Sequence, residues 1–196
     1  FPVALLALAL GGFGIGSTEF VAMGLLPDIA RDLFPALAAS APEQANAQAG
    51  WVISAYALGV VVGAPTIAAV AARWPRRRLL LVLLSAFTLG TVASALAPTF
   101  ELVLLARFVS ALPHGAYFGI ASLVAASLMG PGKRGRGIAL VLGGLTIANV
   151  IGVPVITWIG QLSGWRVAYL VVAGLFALTF VAVLAVVPWQ AGDPGA

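Results

Sequence analysis

Six long apolar runs, separated by short polar connections, decide what this chain can fold into. They cover residues 3–26, 51–72, 79–97, 102–129, 137–160 and 167–187. A helix needs about 20 apolar residues to cross the hydrocarbon core of a bilayer, and each run is about that long. The runs are apolar all round, which excludes the two-residue alternation of a membrane β-barrel strand. A soluble domain is excluded too. Of the 196 residues, 62% are hydrophobic and 8% charged, against roughly 25% charged in an ordinary soluble domain. A chain of this size has too little interior to hide so much apolar surface. The expected fold class is all-α integral membrane, with six transmembrane helices in contact with a lipid bilayer.

The charges orient those helices. Arg73, Arg76, Arg77 and Arg78 lie between runs two and three, and Lys133, Arg134 and Arg136 between runs four and five. The opposite side carries Arg31 and Arg166 among Asp28, Asp32, Glu43 and Glu101. Basic loops stay in the cytoplasm, so both chain ends are expected there as well. The +4 net charge thus marks topology, and no nucleic-acid partner is expected. The first run is too long for a signal peptide and has no basic segment before it. The chain opens on Phe1 without Met, so a short leader is expected to precede it, and residues 191–196 are expected to begin a cytoplasmic linker. With no Cys, disulfides, thiolate zinc sites and Cys nucleophiles are excluded; no metal or cofactor is expected.

An internal repeat follows from the glycines and prolines. Gly63-Ala64-Pro65 returns as Gly152-Val153-Pro154, 89 positions later, and the same shift carries 79–97 onto 168–186. Runs one and four match less closely. Three spans per unit invert the second unit in the membrane, the arrangement of many secondary transporters. Gly-x-Pro recurs cheaply among 23 Gly and 12 Pro, so the architecture, more than the match, carries the expectation of two inverted three-helix repeats. Gly12 and Gly16, Gly59 and Gly63, and Gly115 and Gly119 are spaced four apart, as close helix packing in lipid requires.

Three ionisable groups lie within the runs: Glu19, Arg107 and His114. Burying a charge near the bilayer centre costs at least about 3 kcal/mol, so such groups mark function. At 1.5 Å per residue, Glu19 lies about 12 Å inside its run and Arg107 about 9 Å below Glu101. Similar depths allow them to pair or to share a cavity. His114 lies deeper on the Arg107 face, with Ser110 and Tyr117 along it. Tyr56 on the second run and Asn149 on the fifth reach comparable depths. Runs three and six offer only Thr88, Thr91, Ser94 and Thr179, which suggests four helices around a cavity and two outside. Structural roles compete with each reading. Glu19 with Arg107 would serve as a buried pair fixing helix register. His114 would bond a carbonyl freed at Pro113, and Tyr56 and Asn149 would hold helices together. An intramembrane serine protease is not expected, because Leu162-Ser163-Gly164 sits at a loop and lacks the preceding Gly.

Several stretches together resemble one family. They are Gly-Ser-Thr-Glu-Phe-Val-Ala-Met-Gly-Leu-Leu-Pro-Asp-Ile-Ala at 16–30, Tyr56-Ala57-Leu58-Gly59, Arg107-Phe108-Val109, His114-Gly115-Ala116-Tyr117-Phe118-Gly119, 144–154, and Gly164-Trp165-Arg166. The chain resembles the major facilitator superfamily, in its drug:proton antiporter branch, with the arabinose-efflux-permease-like and sugar-efflux members nearest. The family's loop motif, Gly-x-x-x-Asp-Arg-x-Gly-Arg-Arg, keeps Arg73, Arg76 and Arg77 here, while Ala68, Ala72 and Pro75 replace the Gly, the Asp and the second Gly. The charge latch that uses that Asp is therefore not carried over. Of Arg-x-x-Gln-Gly, Arg107 is kept, with Ser110 and Ala111 in place of Gln and Gly; of the antiporter motif on span five, Gly152 and Pro154 are kept.

The resemblance implies the N-terminal six-span half of a twelve-span transporter of a bacterial inner membrane, not an enzyme. A C-terminal six-span half or a second copy would complete it. The expected activity is proton-driven antiport, exporting a small organic solute (drug, sugar or metabolite) by alternating access. A facilitator or symporter of the same fold, and a half-size protein acting as a dimer or partner subunit, stand as alternatives. The proton gradient is the driving force. Glu19 is the expected proton carrier, Arg107 its modulator and Asp28 a second carboxylate; Tyr56, His114, Tyr117 and Asn149 are expected to line the substrate cavity.

Overall fold

Helix accounts for nearly all of residues 2–190, the part of the chain that this computed structural model describes; the expected linker at 191–196 lies outside the described residues. The first span is α1 (Pro2–Gly24). Three short helices follow, α2 (Leu26–Leu33), α3 (Pro35–Ser40) and α4 (Pro42–Ala49), each with Pro in its first turn. Pro fits there because the first N–H groups of a helix have no intrahelical partner. Then come α5 (Trp51–Ala71), α6 (Arg76–Leu96), α7 (Phe100–Ala111), α8 (His114–Met129), α9 (Arg134–Ile147), α10 (Val153–Ser163) and α11 (Trp165–Val186). No strand occurs among the described residues.

Six helical stretches are long and apolar enough to cross a membrane: Val3–Gly24, Pro42–Ala71, Arg76–Leu96, Phe100–Met129, Arg134–Ser163 and Trp165–Val186. Spans three and five begin three residues before the apolar runs, because Arg76–Arg78 and Arg134–Arg136 form their first turns. Arginine is a good helix former, so the helix continues past the point where apolar sequence stops.

Two spans are interrupted at proline, which lacks an N–H and crowds the carbonyl four residues back. The fourth breaks at Pro113 into α7 and α8, which makes His114 the first residue after the break. The fifth widens into a π-helical turn, Ala148–Gly152, just ahead of Pro154. Such a turn absorbs a mismatch in the hydrogen-bond ladder.

The packing repeats. Span one packs on spans five and six, span four on spans two and three, and spans three and six on each other. Exchanging one with four, two with five and three with six leaves that scheme unchanged, as two related three-helix units require. The departure is that span four packs against span five, while span one only grazes span two. Glycine sets the closest approaches: a Cβ at Gly63 would stand 2.0 Å from the Leu112 carbonyl oxygen, and one at Gly144 2.0 Å from that of Ala9. At Gly152 it would strike the Phe13 ring at 2.7 Å. Phe87 and Phe176, both buried, stack at 4.7 Å between spans three and six.

Polar ties close both ends. At the acidic end, Arg166 donates through Nη1 to the Ala95 and Ala97 carbonyls at 2.8 and 2.7 Å. Its Nη2 lies 3.3 Å from Asp32, whose other bond comes from Trp165 Nε1 at 2.9 Å. At the basic end, the Arg76 N–H donates to the Gln190 carbonyl at 3.1 Å, Arg77 donates to the Leu184 carbonyl, and Gln190 donates to Ser127 at 2.8 Å.

Candidate functional site

Arg107 is the one charged side chain buried to 1% exposure among the described residues. A guanidinium carries five N–H donors and cannot shed its proton, so its surroundings must satisfy it as a cation. Two of its bonds go to a single residue of span one: Nη1 donates to Thr18 Oγ1 at 2.9 Å, and Nη2 to the Thr18 carbonyl at 3.0 Å. Aromatic faces flank the group. Its carbon lies 4.3 Å from the centre of the Tyr56 ring and 5.3 Å from that of Tyr169, where ring quadrupoles favour a cation. Arg107 Nε and the Tyr169 hydroxyl are buried with no hydrogen-bond partner.

Glu19 follows Thr18 in α1 and is half-buried. It stands within electrostatic reach of Arg107 and Tyr56. The two groups do not form an ion pair; among the described residues the pairs within 4.0 Å are Arg31–Asp28 and Arg166–Asp32. The cluster continues through Tyr56, whose hydroxyl lies 3.2 Å from His114 Nδ1. The His114 ring also packs against Phe118 at 5.4 Å. Spans one, two, four and six thus bring Thr18, Glu19, Tyr56, Arg107, His114 and Tyr169 together.

Other expected site residues stand elsewhere. Tyr117 does not line an opening: it is wholly buried and donates to the Leu8 carbonyl at 2.8 Å, filling the notch that Gly11 leaves. Ser110 faces the interior too, packed on Gly90. Asp28 lies on α2 at the acidic end, 2.6 Å from Arg31. Asn149 is exposed within the π-helical turn and donates to the Leu145 carbonyl at 3.2 Å. Gly152 and Pro154 shape that turn, Arg76 and Arg77 tie the basic end, and Arg73 lies exposed in the loop before them. Two members of the cluster carried no sequence signal. Thr18 is one hydroxyl among many, and Tyr169 sits in a span that otherwise offers almost nothing polar.

A buried, aromatic-flanked cation beside a half-buried carboxylate, inside six apolar helices built as two related triplets, defines a membrane transporter. The model of the Major Facilitator Superfamily matches residues 8–194, and the chain belongs to that family, whose members are transporters and not enzymes. It is 45% identical over 184 residues to the inner membrane transport protein YdhP of Escherichia coli K12, covering 94% of this chain and 45% of YdhP. It is 37% identical over 172 residues to a chloramphenicol resistance protein of Streptomyces lividans, covering 88% of this chain and 42% of that one. In fold it matches the proton:xylose symporter XylE bound to 6-bromo-6-deoxy-D-glucose, with a TM-score of 0.79 at 17% identity over 96% of this chain and 45% of XylE. The chain therefore spans less than half the length of these relatives.

Proposed function

We propose that this chain is the N-terminal six-span half of a proton-coupled antiporter, or works as one of two copies, and exports a small organic solute across a bacterial inner membrane. Its basic loops and both ends then face the cytoplasm. The observation that carries the reading is the placement of Glu19. It is the one carboxylate within the six apolar runs, half-buried, next to the residue that holds a permanently charged arginine. A proton on Glu19 changes the net charge of the cluster by one, and Arg107 cannot compensate by releasing its own. Solute binding that competes for either group therefore drives proton exchange, and alternating access makes that exchange directional. The name of the Streptomyces relative supports a drug-like solute, and chloramphenicol is the first compound to try. The test is chloramphenicol efflux from cells and membrane vesicles under an imposed proton gradient. Glu19→Gln is expected to abolish gradient-driven efflux while the protein still elutes as one folded species. Efflux at the wild-type rate would remove Glu19 from the mechanism.

A further inference from the structure

A groove of about 400 Å³ runs between spans two, three and four at the basic end of the bundle. Its wall includes Val70, Leu79, Val82, Val109 and Pro113, with Trp74 at the mouth. The only hydroxyl on the wall, that of Thr66, already donates to the Val62 carbonyl at 2.7 Å. Nothing along the wall awaits a polar solute. From Leu79 to Ala86 the lining follows span three for about 10 Å, a large part of one leaflet's hydrocarbon depth of about 15 Å. The shape and chemistry are those of a seat for an acyl chain.

The mouth selects a headgroup. Trp74 is 41% exposed, and the Arg78 guanidinium lies 5.7 Å from the centre of its ring. Tryptophan and arginine favour the membrane–water interface, the ring at headgroup level and the charge reaching outward. Beside them the chain places Arg73, Arg76 and Arg77, and across the same end Lys133, Arg134 and Arg136. Every carboxylate among the described residues stands elsewhere: Glu19 within span one, and Asp28, Asp32, Glu43 and Glu101 toward the opposite end. Among the described residues, no carboxylate stands at this end to compete for a phosphate.

We infer that this groove binds an anionic phospholipid, one acyl chain lying along Val82 toward Pro113 and the phosphate at Arg78. The lipid would rest against the Pro113 break, directly behind His114 of the candidate site. The inference is independent of whether Glu19 carries protons.

The test uses the full-length protein in phosphatidylcholine nanodiscs doped with brominated phosphatidylglycerol or, separately, brominated phosphatidylcholine. The quenching specific to Trp74 is the difference between wild type and Trp74→Phe. Phosphatidylglycerol is expected to quench that component several-fold more strongly at equal dose. Arg78→Gln is expected to lower its apparent affinity about fivefold, the worth of one interfacial cation. Both side chains are exposed, so the variants keep the fold, and far-ultraviolet circular dichroism checks this. Equal quenching by the two lipids would reduce the groove to ordinary boundary lipid and overturn the inference. So would the absence of any Trp74 quenching, which would mean that protein covers the groove.

Discussion

Arg107 is anchored to Thr18 by two hydrogen bonds, 2.9 Å to the hydroxyl and 3.0 Å to the carbonyl, and this fixes the guanidinium one residue away from Glu19. The carboxylate is left without a tight ion pair, so it can exchange a proton without first breaking one. A buried pair whose partner is removed costs several kcal/mol, whereas here the cation keeps its protein ligands whichever state Glu19 adopts. Thr18→Val keeps the shape and removes one of the two bonds. A hydrogen bond to a charged group contributes about 1.5–3 kcal/mol, so the thermal midpoint in detergent is expected to fall by that equivalent. An unchanged midpoint would show that Arg107 is held by other means.

Arg107→Lys tests whether charge alone suffices. An ammonium is a point charge and cannot span the hydroxyl and the carbonyl of one residue as a planar fork does, nor lie flat between the Tyr56 and Tyr169 rings. Gradient-driven efflux is expected to fall at least tenfold with the protein still folded. Near-normal efflux would mean that the site needs a positive charge and not its geometry.

Depth along the membrane is legible in the sequence, and rotation about each helix axis is not. Apolar runs and 1.5 Å per residue put Glu19, Arg107, Tyr56 and His114 at neighbouring depths, and the structure joins all four. The same reasoning sends Tyr117 toward a cavity, yet its hydroxyl turns inward to Leu8. An all-round apolar helix has no polar face to reveal which side meets its neighbours. Tyr169 escapes notice for the same reason, since its ring counts as apolar until packing sets it against Arg107. The Pro113 break and the widened turn before Pro154 follow from proline chemistry, and Gly152 is explained only when Phe13 is seen against it.

The two tyrosines of spans two and four are expected to behave differently. Tyr117→Phe loses an interior tie worth about 1 kcal/mol and should lower stability without altering the KM for solute. Tyr56→Phe loses the contact with His114 while keeping its ring against Arg107, and should change the pH profile of efflux at nearly unchanged stability. Steady-state efflux across a pH series, with thermal melts alongside, separates the two. A shifted KM in Tyr117→Phe would return that residue to the solute path.

Glycine substitutions test the close approaches between spans. At Gly63 an added Cβ meets the Leu112 backbone at 2.0 Å, while at Gly119 nothing lies within 4 Å. Gly63→Ala must push spans two and four apart and is expected to cost about 3 kcal/mol or more, seen as loss of folded protein on size-exclusion chromatography. Gly119→Ala should stay within about 0.5 kcal/mol of wild type. Equal tolerance at both positions would mean that these spans separate readily.

Arg166 ends the acidic side of the bundle, where its guanidinium gathers the Ala95 and Ala97 carbonyls at the close of α6 and reaches Asp32. The last carbonyls of a helix have no intrahelical donor, and a cation there also suits the helix dipole. Arg166→Gln removes the charge and most of the fork, and is expected to destabilise by about 2 kcal/mol, since the side chain is one-third exposed and solvent takes up part of the loss. Asp32→Asn keeps an acceptor for Trp165 and loses only the ion pair, for less than about 1 kcal/mol. Thermal melts of the two variants should therefore rank Arg166→Gln well below Asp32→Asn. The reverse order would place the stabilising contact in the ion pair and not in the cap on span three.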